Sequence, residues 1–409
     1  MSQFNYVLVG GGVASVNAVI GIREIDPAGS ILLVGEEAYP PYDRPPLSKK
    51  MLTNLDLGLD EPESKFPNFY EDQGVTLMSG VRVESIDRDA KTVQLSNGET
   101  VGYEKLLLAT GSHAVQVGVE GSDLQGVQTF RTMDDMIQLR EAIRAKKTIA
   151  LVGMGYVGAE LAASILAHHS KVIIVEQGAH PWARFASSHA GSYLRGQFVT
   201  NGAEMRFNHS LLTLKGDGHV SSIVLSSGEE LKVGHVVFGV GVALNDELAR
   251  SSGLEVENGN GIIVDAHLRT SDPAIFAAGD VANFPDAMMG ARRWHAEHHL
   301  HAKWEGHQAG RNMAGAGETF ERIPYFWSDL FDDHMILRGD PDRGTVVKSF
   351  GTPDVGEFVD LYADAAGNLV AGLAMSKNEP SLDGISDALE EHIKLATPVA
   401  VLTKEMILK

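Results

Sequence analysis

The 409-residue sequence contains no cysteine. That absence removes structural disulfides, thiolate metal sites and cysteine-ligated clusters, together with any redox-active disulfide or sulfenate. Positive charge is also scarce: 34 Lys and Arg stand against 54 Asp and Glu, a formal charge of −20. Such a balance opposes nonspecific attraction to nucleic acid or anionic lipid, so neither nucleic acid nor a membrane is an expected partner. With 44% hydrophobic and 22% charged residues, no tract is biased enough to predict a long disordered tail. No basic cluster precedes the apolar run at residues 4–9, which reads as a buried strand and not a secretory signal; the cytoplasm is the expected compartment. The nearly apolar stretch 149–167 has the length of a membrane span. It carries fingerprint glycines and Glu160, and a strand–turn–helix unit explains it better.

Two glycine runs are present, Gly10-Gly11-Gly12-Val13-Ala14-Ser15 and Gly153-Met154-Gly155-Tyr156-Val157-Gly158. Each follows a short apolar run and opens an apolar stretch of helical spacing: Val13, Val16 and Ile20 in the first, Val157, Leu161 and Ile165 in the second. Each helix is followed by a β-rich run ending in an acid, Glu36 or Glu176. This is the grammar of a strand–helix–strand dinucleotide unit. The first glycine turns the backbone sharply, the second lets it approach a pyrophosphate, and the third small residue lets helix and strand pack closely. The phosphates then meet free N–H groups at the helix start, and the acid accepts hydrogen bonds from ribose hydroxyls. In the first unit Ser15 takes the third place. A carboxylate at Glu176 would repel a 2′-phosphate and favours NADH over NADPH, with Arg184 nearby as the countervailing charge.

Between the two units, residues 75–77, 82–86 and 92–95 alternate and are followed by an Asn97-Gly98 turn signal, which suggests a small antiparallel sheet. Residues 106–111 and 275–280 are buried-strand patterns ending at Gly111 and at Gly279-Asp280, plausible crossings out of and back into the first domain. After about residue 320 the runs 345–350, 358–363 and 369–375 read as antiparallel strands. Leu382, Ile385, Leu389 and Ile393 mark one face of a final helix. The expected fold is α/β: two Rossmann-like dinucleotide-binding domains plus a C-terminal α+β domain. The first would span 1–112 and 247–320, the second 113–246 and the third 321–409.

The order of first fingerprint, Ala109-Thr110-Gly111, second fingerprint and Ala278-Gly279-Asp280 resembles the FAD-dependent pyridine nucleotide oxidoreductases of the glutathione-reductase superfamily. Tyr42-Asp43-Arg44-Pro45-Pro46-Leu47-Ser48-Lys49 and Trp327-Ser328-Asp329 are similar to the cysteine-free branch, which holds the ferredoxin reductases of oxygenase systems and the apoptosis-inducing-factor-like flavoproteins. The resemblance implies FAD at the first fingerprint, with Gly10, Gly12 and Ser15 at its pyrophosphate, Glu36 at its ribose, and Thr110, Gly111 and Asp280 along the cofactor. Arg44, Lys49, His299 and Trp327 would lie near the flavin. It implies NADH at the second, with Gly153, Gly155 and Gly158 at the phosphates, Glu176 at the ribose and Tyr156 beside the nicotinamide. Lys49 and Glu160 would form the catalytic pair, the lysine facing charge on the reduced flavin and the glutamate orienting it and the nicotinamide amide. Each residue has a plainer alternative: Lys49 a solvated loop lysine, Glu160 a structural ion pair, Trp327 core packing, Asp280 a helix cap.

The oxygenase-type members of that branch carry a Glu-x-Trp-x-Asn-Ala run where this chain has Glu297-His298-His299-Leu300-His301-Ala302. His299 thus stands in the place of the tryptophan, as on the apoptosis-inducing-factor side. His295, His298, His299 and His301 invite a metal reading, yet no carboxylate set completes a site, and no metal is expected. Two functions follow from the resemblance: an NADH-dependent FAD reductase feeding a ferredoxin-type acceptor, or an apoptosis-inducing-factor-like NADH dehydrogenase or oxidase with a long-lived reduced complex. A third is an NADH-sensing interaction protein. An acidic ferredoxin would need a basic patch, with Arg292, Arg293, Lys303 and Lys49 as candidates. Monomer and dimer both remain open.

Overall fold

The structure, a computed structural model, describes residues 2–65, 68–286 and 292–408. The chain divides into two compact units that it visits alternately. The first gathers Met1–Arg44, Asp60–His113 and Ala243–Arg322, and the second Pro45–Leu59, Ala114–Val242 and Ile323–Lys409.

In the first unit, strand Ser2–Val9 runs parallel to Ile31–Gly35 on one side and to Thr100–Leu108 on the other. Val7, Leu8, Leu32, Leu33, Leu106, Leu107 and Leu108 are all buried, so these strands are covered on both faces, as parallel strands flanked by helices must be. The nine-residue strand Thr100–Leu108 shares its far edge between two partners. Thr92–Leu95 pairs antiparallel with its start, and Ile275–Ala277 pairs parallel with its end. Segments far apart in sequence thereby meet at one carboxyl edge. The expected small antiparallel sheet forms in part: Val83–Asp87 and Thr92–Leu95 are antiparallel. Val75–Ser79 instead pairs parallel with Ile31–Gly35 and extends the main sheet. Its alternation reflects an edge position with one face half open, a pattern shared by edge strands of either sense.

Among the described residues the second unit holds two five-stranded sheets and a three-stranded antiparallel sheet of Leu211–Asp217, His219–Leu225 and Glu230–Lys232. A five-stranded parallel sheet has the order Glu204–Phe207, Val172–Glu176, Ile149–Val152, His235–Phe238, Val127–Thr129. The apolar stretch 149–167 resolves into strand Ile149–Val152 and helix Tyr156–Leu166, and among the described residues no helix is long and apolar enough to cross a membrane. The second sheet is antiparallel, in the order Tyr325–Leu330, Asp333–Gly339, Leu369–Ser376, Glu357–Ala363, Thr345–Thr352. Helix Glu379–Lys394 buries Leu382, Ile385, Leu389 and Ile393, the face that the sequence periodicity marks. Gly372 makes room for Leu389, whose side chain fills the place a Cβ there would occupy. The fold class is α/β as expected, with a C-terminal α+β region.

One buried histidine in the parallel sheet gives the second unit an acid sensitivity. His235 is 4% exposed and its Nε2 lies 2.7 Å from Gln128 Oε1. Burial holds its pKa down to about 4 from 6.5, so the unfolded chain binds a proton that the folded one refuses. Stability from this group is complete above pH 6.5 and is lost as pH falls toward 4, amounting to about 3 kcal/mol in all. The unfolding midpoint of the protein is therefore expected to drop over that window, and His235→Gln to flatten the drop; an unchanged pH profile in the variant would remove His235 as its cause.

Candidate functional site

In the first unit the turn at residues 10–12 is built by backbone contact. Gly10 has φ +118°, donates its N–H to Val34 O at 2.8 Å, and would drive a Cβ into the carbonyl of Ala109. Gly12 caps helix Val13–Ile25 with no side-chain hydrogen bond, and the first turn carries no acidic residue. No atom lies within 4 Å of where a Cβ on Gly12 would stand. Helix Met133–Arg144 shows the contrast: its start is closed by a Thr132–Asp135 capping box. A helix that leaves its first N–H groups without a side-chain acceptor, facing open space, is fitted to an anion. Ser15 is wholly buried and its Oγ has no hydrogen-bond partner, so its smallness serves packing.

The other first-unit residues group at the same sheet edge. Glu36 ends its strand with an exposed side chain, 3.8 Å from Arg82. Thr110 Oγ1 donates to Asn245 O at 2.7 Å, and Asn245 Nδ2 returns a bond to Thr110 O at 2.8 Å, which fixes the turn at Gly111, where φ is +64°. Asp280 is buried after strand Ile275–Ala277 and accepts from Ser112 Oγ at 2.6 Å. Arg44 pairs with Glu37 at 2.8 Å. His299 opens helix His299–Met313, its Nε2 3.8 Å from Asp43. That helix lies directly on the fingerprint helix: a Cβ on Gly306 or Gly310 would overlap the carbonyls of Ala14 and Ala18.

The histidine-rich run does not converge. His295 meets Glu297 at 3.2 Å, His298 caps its helix by accepting from Leu300 N–H, and His301 turns inward to Glu305. Among the described residues no group of three or more His, Asp or Glu side chains is placed to hold a metal ion. Of the candidate basic residues, Arg293 donates to the Val264 carbonyl and to Asn283 O at 2.6 Å.

The second unit repeats the turn more strictly. Gly153 has φ +100° and abuts the Gly239 carbonyl, Gly158 abuts the Gly153 carbonyl, and Gly155 begins helix Tyr156–Leu166 uncapped and open. Glu176 ties the loop down, accepting from Met154 N–H at 2.7 Å and from Gly178 N–H at 2.6 Å. Its remaining lone pairs are what a ribose would use. Tyr156 stacks on Phe185 with centroids 4.4 Å apart and lies parallel to Phe326 at 6.0 Å. Its hydroxyl is buried without a hydrogen-bond partner, and burial pushes its pKa well above the usual phenol value.

Lys49 and Glu160 do come together. Lys49 Nζ lies 3.4 Å from Glu160 Oε1, 3.0 Å from Asp329 Oδ2 and 3.6 Å from the centre of the Trp327 ring. Glu160 is buried and accepts from Ser48 Oγ at 2.5 Å and Ser328 Oγ at 2.7 Å. Burial raises its pKa, against the pull of Lys49 and the two serines. Asp329 also meets His334 Nδ1 at 2.8 Å. The period of strand Tyr325–Leu330 accounts for the set: Trp327 and Asp329 share a face and both reach Lys49, while Ser328 on the other reaches Glu160.

The sequence reading passed over Ser48, Ser328 and Asp329, although all three lie inside the two runs that carried the resemblance. It also passed over what holds Lys49 in place. Arg140 is 7% exposed and donates to Met51 O at 2.9 Å and Leu57 O at 3.0 Å. Arg144 donates to Leu55 O at 2.6 Å, Ser164 Oγ to Ser48 O at 2.6 Å, and His168 Nε2 lies 2.6 Å from Leu52 O. The segment after Lys49 is gripped by its carbonyls.

A family model described as pyridine nucleotide-disulphide oxidoreductase matches residues 4–305. The chain is 35% identical over 354 residues to a probable ferredoxin reductase, CtmF, of Castellaniella defragrans, covering 83% of this chain and 85% of that protein. It is 34% identical over 339 residues to the rubredoxin-NAD(+) reductase of Pseudomonas putida, covering 81% and 85%. Among solved structures, the ferredoxin reductase for the CYP199A2 system from Rhodopseudomonas palustris aligns over 100% of both chains with TM-score 0.89 and 28% identity. The covalent putidaredoxin reductase–putidaredoxin complex aligns over 100% of this chain and 99% of that one, with TM-score 0.90 and 25% identity.

Arg140→Ala leaves the carbonyls of Met51 and Leu57 without their buried donor, at a cost of about 3 kcal/mol. Hydrogen–deuterium exchange across residues 50–58 is expected to accelerate about tenfold or more, with the strands of the parallel sheet unaffected. Equal exchange in variant and wild type would show that the clamp is dispensable.

Proposed function

We propose, from the premise that this chain belongs to the pyridine nucleotide-disulphide oxidoreductase family, that it oxidises NADH and passes the electrons through FAD to a one-electron acceptor of the ferredoxin type. The observation that carries this reading is the pair of glycine-turned helix starts, both lacking a side-chain cap, in a chain with no cysteine. Two dinucleotide sites without a thiol relay leave the flavin as the exit for electrons. Relatives named as ferredoxin and rubredoxin reductases support the choice of acceptor class.

When bound, FAD supplies the conversion between a hydride pair and single electrons. The remaining work belongs to the protein. We assign Gly10, Gly12 and Ser15 to the FAD pyrophosphate turn, Glu36 to its ribose, and Thr110, Gly111 and Asp280 to the rest of the cofactor, with Arg44, His299 and Trp327 near the flavin. Gly153, Gly155, Gly158 and Glu176 are assigned to NADH. The Glu176 carboxylate, fixed by two backbone N–H groups, disfavours a 2′-phosphate by like charge. Tyr156 keeps a flat, stacked surface at the start of its helix, suited to a planar ring.

Lys49 is the charged group of the catalytic pair. Glu160, Asp329 and the Trp327 face hold its ammonium in one place, which spares reorganisation when negative charge develops nearby. Ser48 and Ser328 in turn donate hydrogen bonds to Glu160, which favours its carboxylate form beside the lysine against the opposing effect of burial.

Lys49→Ala is expected to retain FAD and to slow anaerobic flavin reduction by NADH about tenfold or more, read by stopped-flow absorbance; reduction at the wild-type rate would remove Lys49 from the mechanism. With the wild type, rapid cytochrome c reduction is expected only when a ferredoxin is added. An air-stable charge-transfer band after NADH, with no ferredoxin-dependent rate, would favour the apoptosis-inducing-factor-like alternative.

A further inference from the structure

Helix His299–Met313 carries a buried acid–imidazole pair that the proposed mechanism leaves unused. His301 and Glu305 lie one helical turn apart, both with 0% exposure, and His301 Nδ1 is 2.7 Å from Glu305 Oε1. The second carboxyl oxygen, Oε2, accepts the N–H of Gly279 at 2.8 Å. Gly279 has φ +79° and immediately precedes Asp280. Its N–H thus needs an acceptor from outside the strand, and Glu305 supplies it.

We propose that Glu305, held by His301, is a positioning residue for Asp280: it fixes the Gly279 peptide and thereby sets the direction in which Asp280 meets FAD. This rests on the assignment of FAD to the first fingerprint. The surroundings of the pair explain why it holds one geometry. The His301 ring is enclosed by Phe284, stacked at 5.4 Å, and by Trp294, Trp304 and Phe320 at 5.6, 5.9 and 5.4 Å. Among the described residues its Nε2 has no hydrogen-bond partner, so Glu305 is the polar contact that the imidazole makes.

Charge points the same way. Two carboxylates flanking one peptide, with no exposure at Glu305, would repel each other strongly. Burial pushes the Glu305 carboxyl well above the usual range, with Asp280 adding to the rise, and pushes His301 down to about 3. Burial thus favours the uncharged form of each group, and their 2.7 Å contact is the polar link between them. A glutamine at 305 keeps the acceptor for Gly279 and a donor for His301; an alanine keeps neither.

The test compares Glu305→Ala and Glu305→Gln in the full chain, stripped of flavin and reconstituted with FAD, with NADH affinity measured on the same samples as a control on the second unit. Glu305→Ala is expected to weaken FAD binding about tenfold or more and to alter the visible circular dichroism of the bound flavin, whereas Glu305→Gln stays within about threefold of wild type with an unaltered spectrum. Should Glu305→Ala prove unstable, Glu305→Asp, which keeps the acid but falls a methylene short of Gly279, is expected to show the same loss. Wild-type FAD affinity in the alanine or aspartate variant, or a glutamine variant as weak as alanine with NADH binding intact, would overturn the role. A wild-type protein that takes up no FAD would overturn the cofactor assignment itself, and this role with it.

Discussion

Both glycine-turned helix starts depend on main chain touching main chain. At Gly153 and Gly158 the peptide carbonyls of Gly239 and Gly153 stand where a Cβ would be, and at Gly10 the Ala109 carbonyl does the same. Any side chain at these places would lift the helix start away from the strand edge. The helix dipole and the first-turn N–H groups act over a few ångströms only, so an anion bound at either helix start would rely on the backbone approaching that closely. The same device joins helix Val13–Ile25 to helix His299–Met313 through Gly21, Gly306 and Gly310, which carries Glu305 to the loop before Asp280.

Much of this was legible in sequence because glycine is the residue that marks such contacts. The fingerprints, their closing acids Glu36 and Glu176, the turns at Gly111 and Gly279, and the apolar face of the final helix all announce themselves by residue type and spacing. The Lys49–Glu160 pair was legible through the resemblance alone. Nothing in the local sequence of either residue requires the 3.4 Å approach seen between them.

What stayed hidden shares a physical character. Arg140, Arg144, Ser164 and His168 act on the carbonyls of Ser48, Met51, Leu52, Leu55 and Leu57, and a main-chain acceptor leaves no trace in residue identity. Val75–Ser79 was misread as antiparallel because alternation reports which face is buried and not which way the neighbour runs. His301 looked like part of a metal-suggestive histidine run, and Glu305 carried no signal of its own. Their helical phase turns them inward while His298 and His299 cap and open the same helix, and phase against an unknown partner helix cannot be read from composition.

The interleaving of the two units has a consequence for the order of synthesis. The first unit needs residues as late as Arg322, and the second needs residues as early as Pro45 and as late as Lys409. A chain emerging from the ribosome therefore cannot complete either unit when its fingerprint appears. The end of the apolar strand Thr100–Leu108 must wait for its parallel partner Ile275–Ala277 until about two thirds of the chain has been made. Domains that fold as contiguous stretches escape this interval. Here the nascent chain carries an unpaired strand edge from the synthesis of Leu108 to that of Ala277, a liability set by topology and independent of how stable the finished protein becomes.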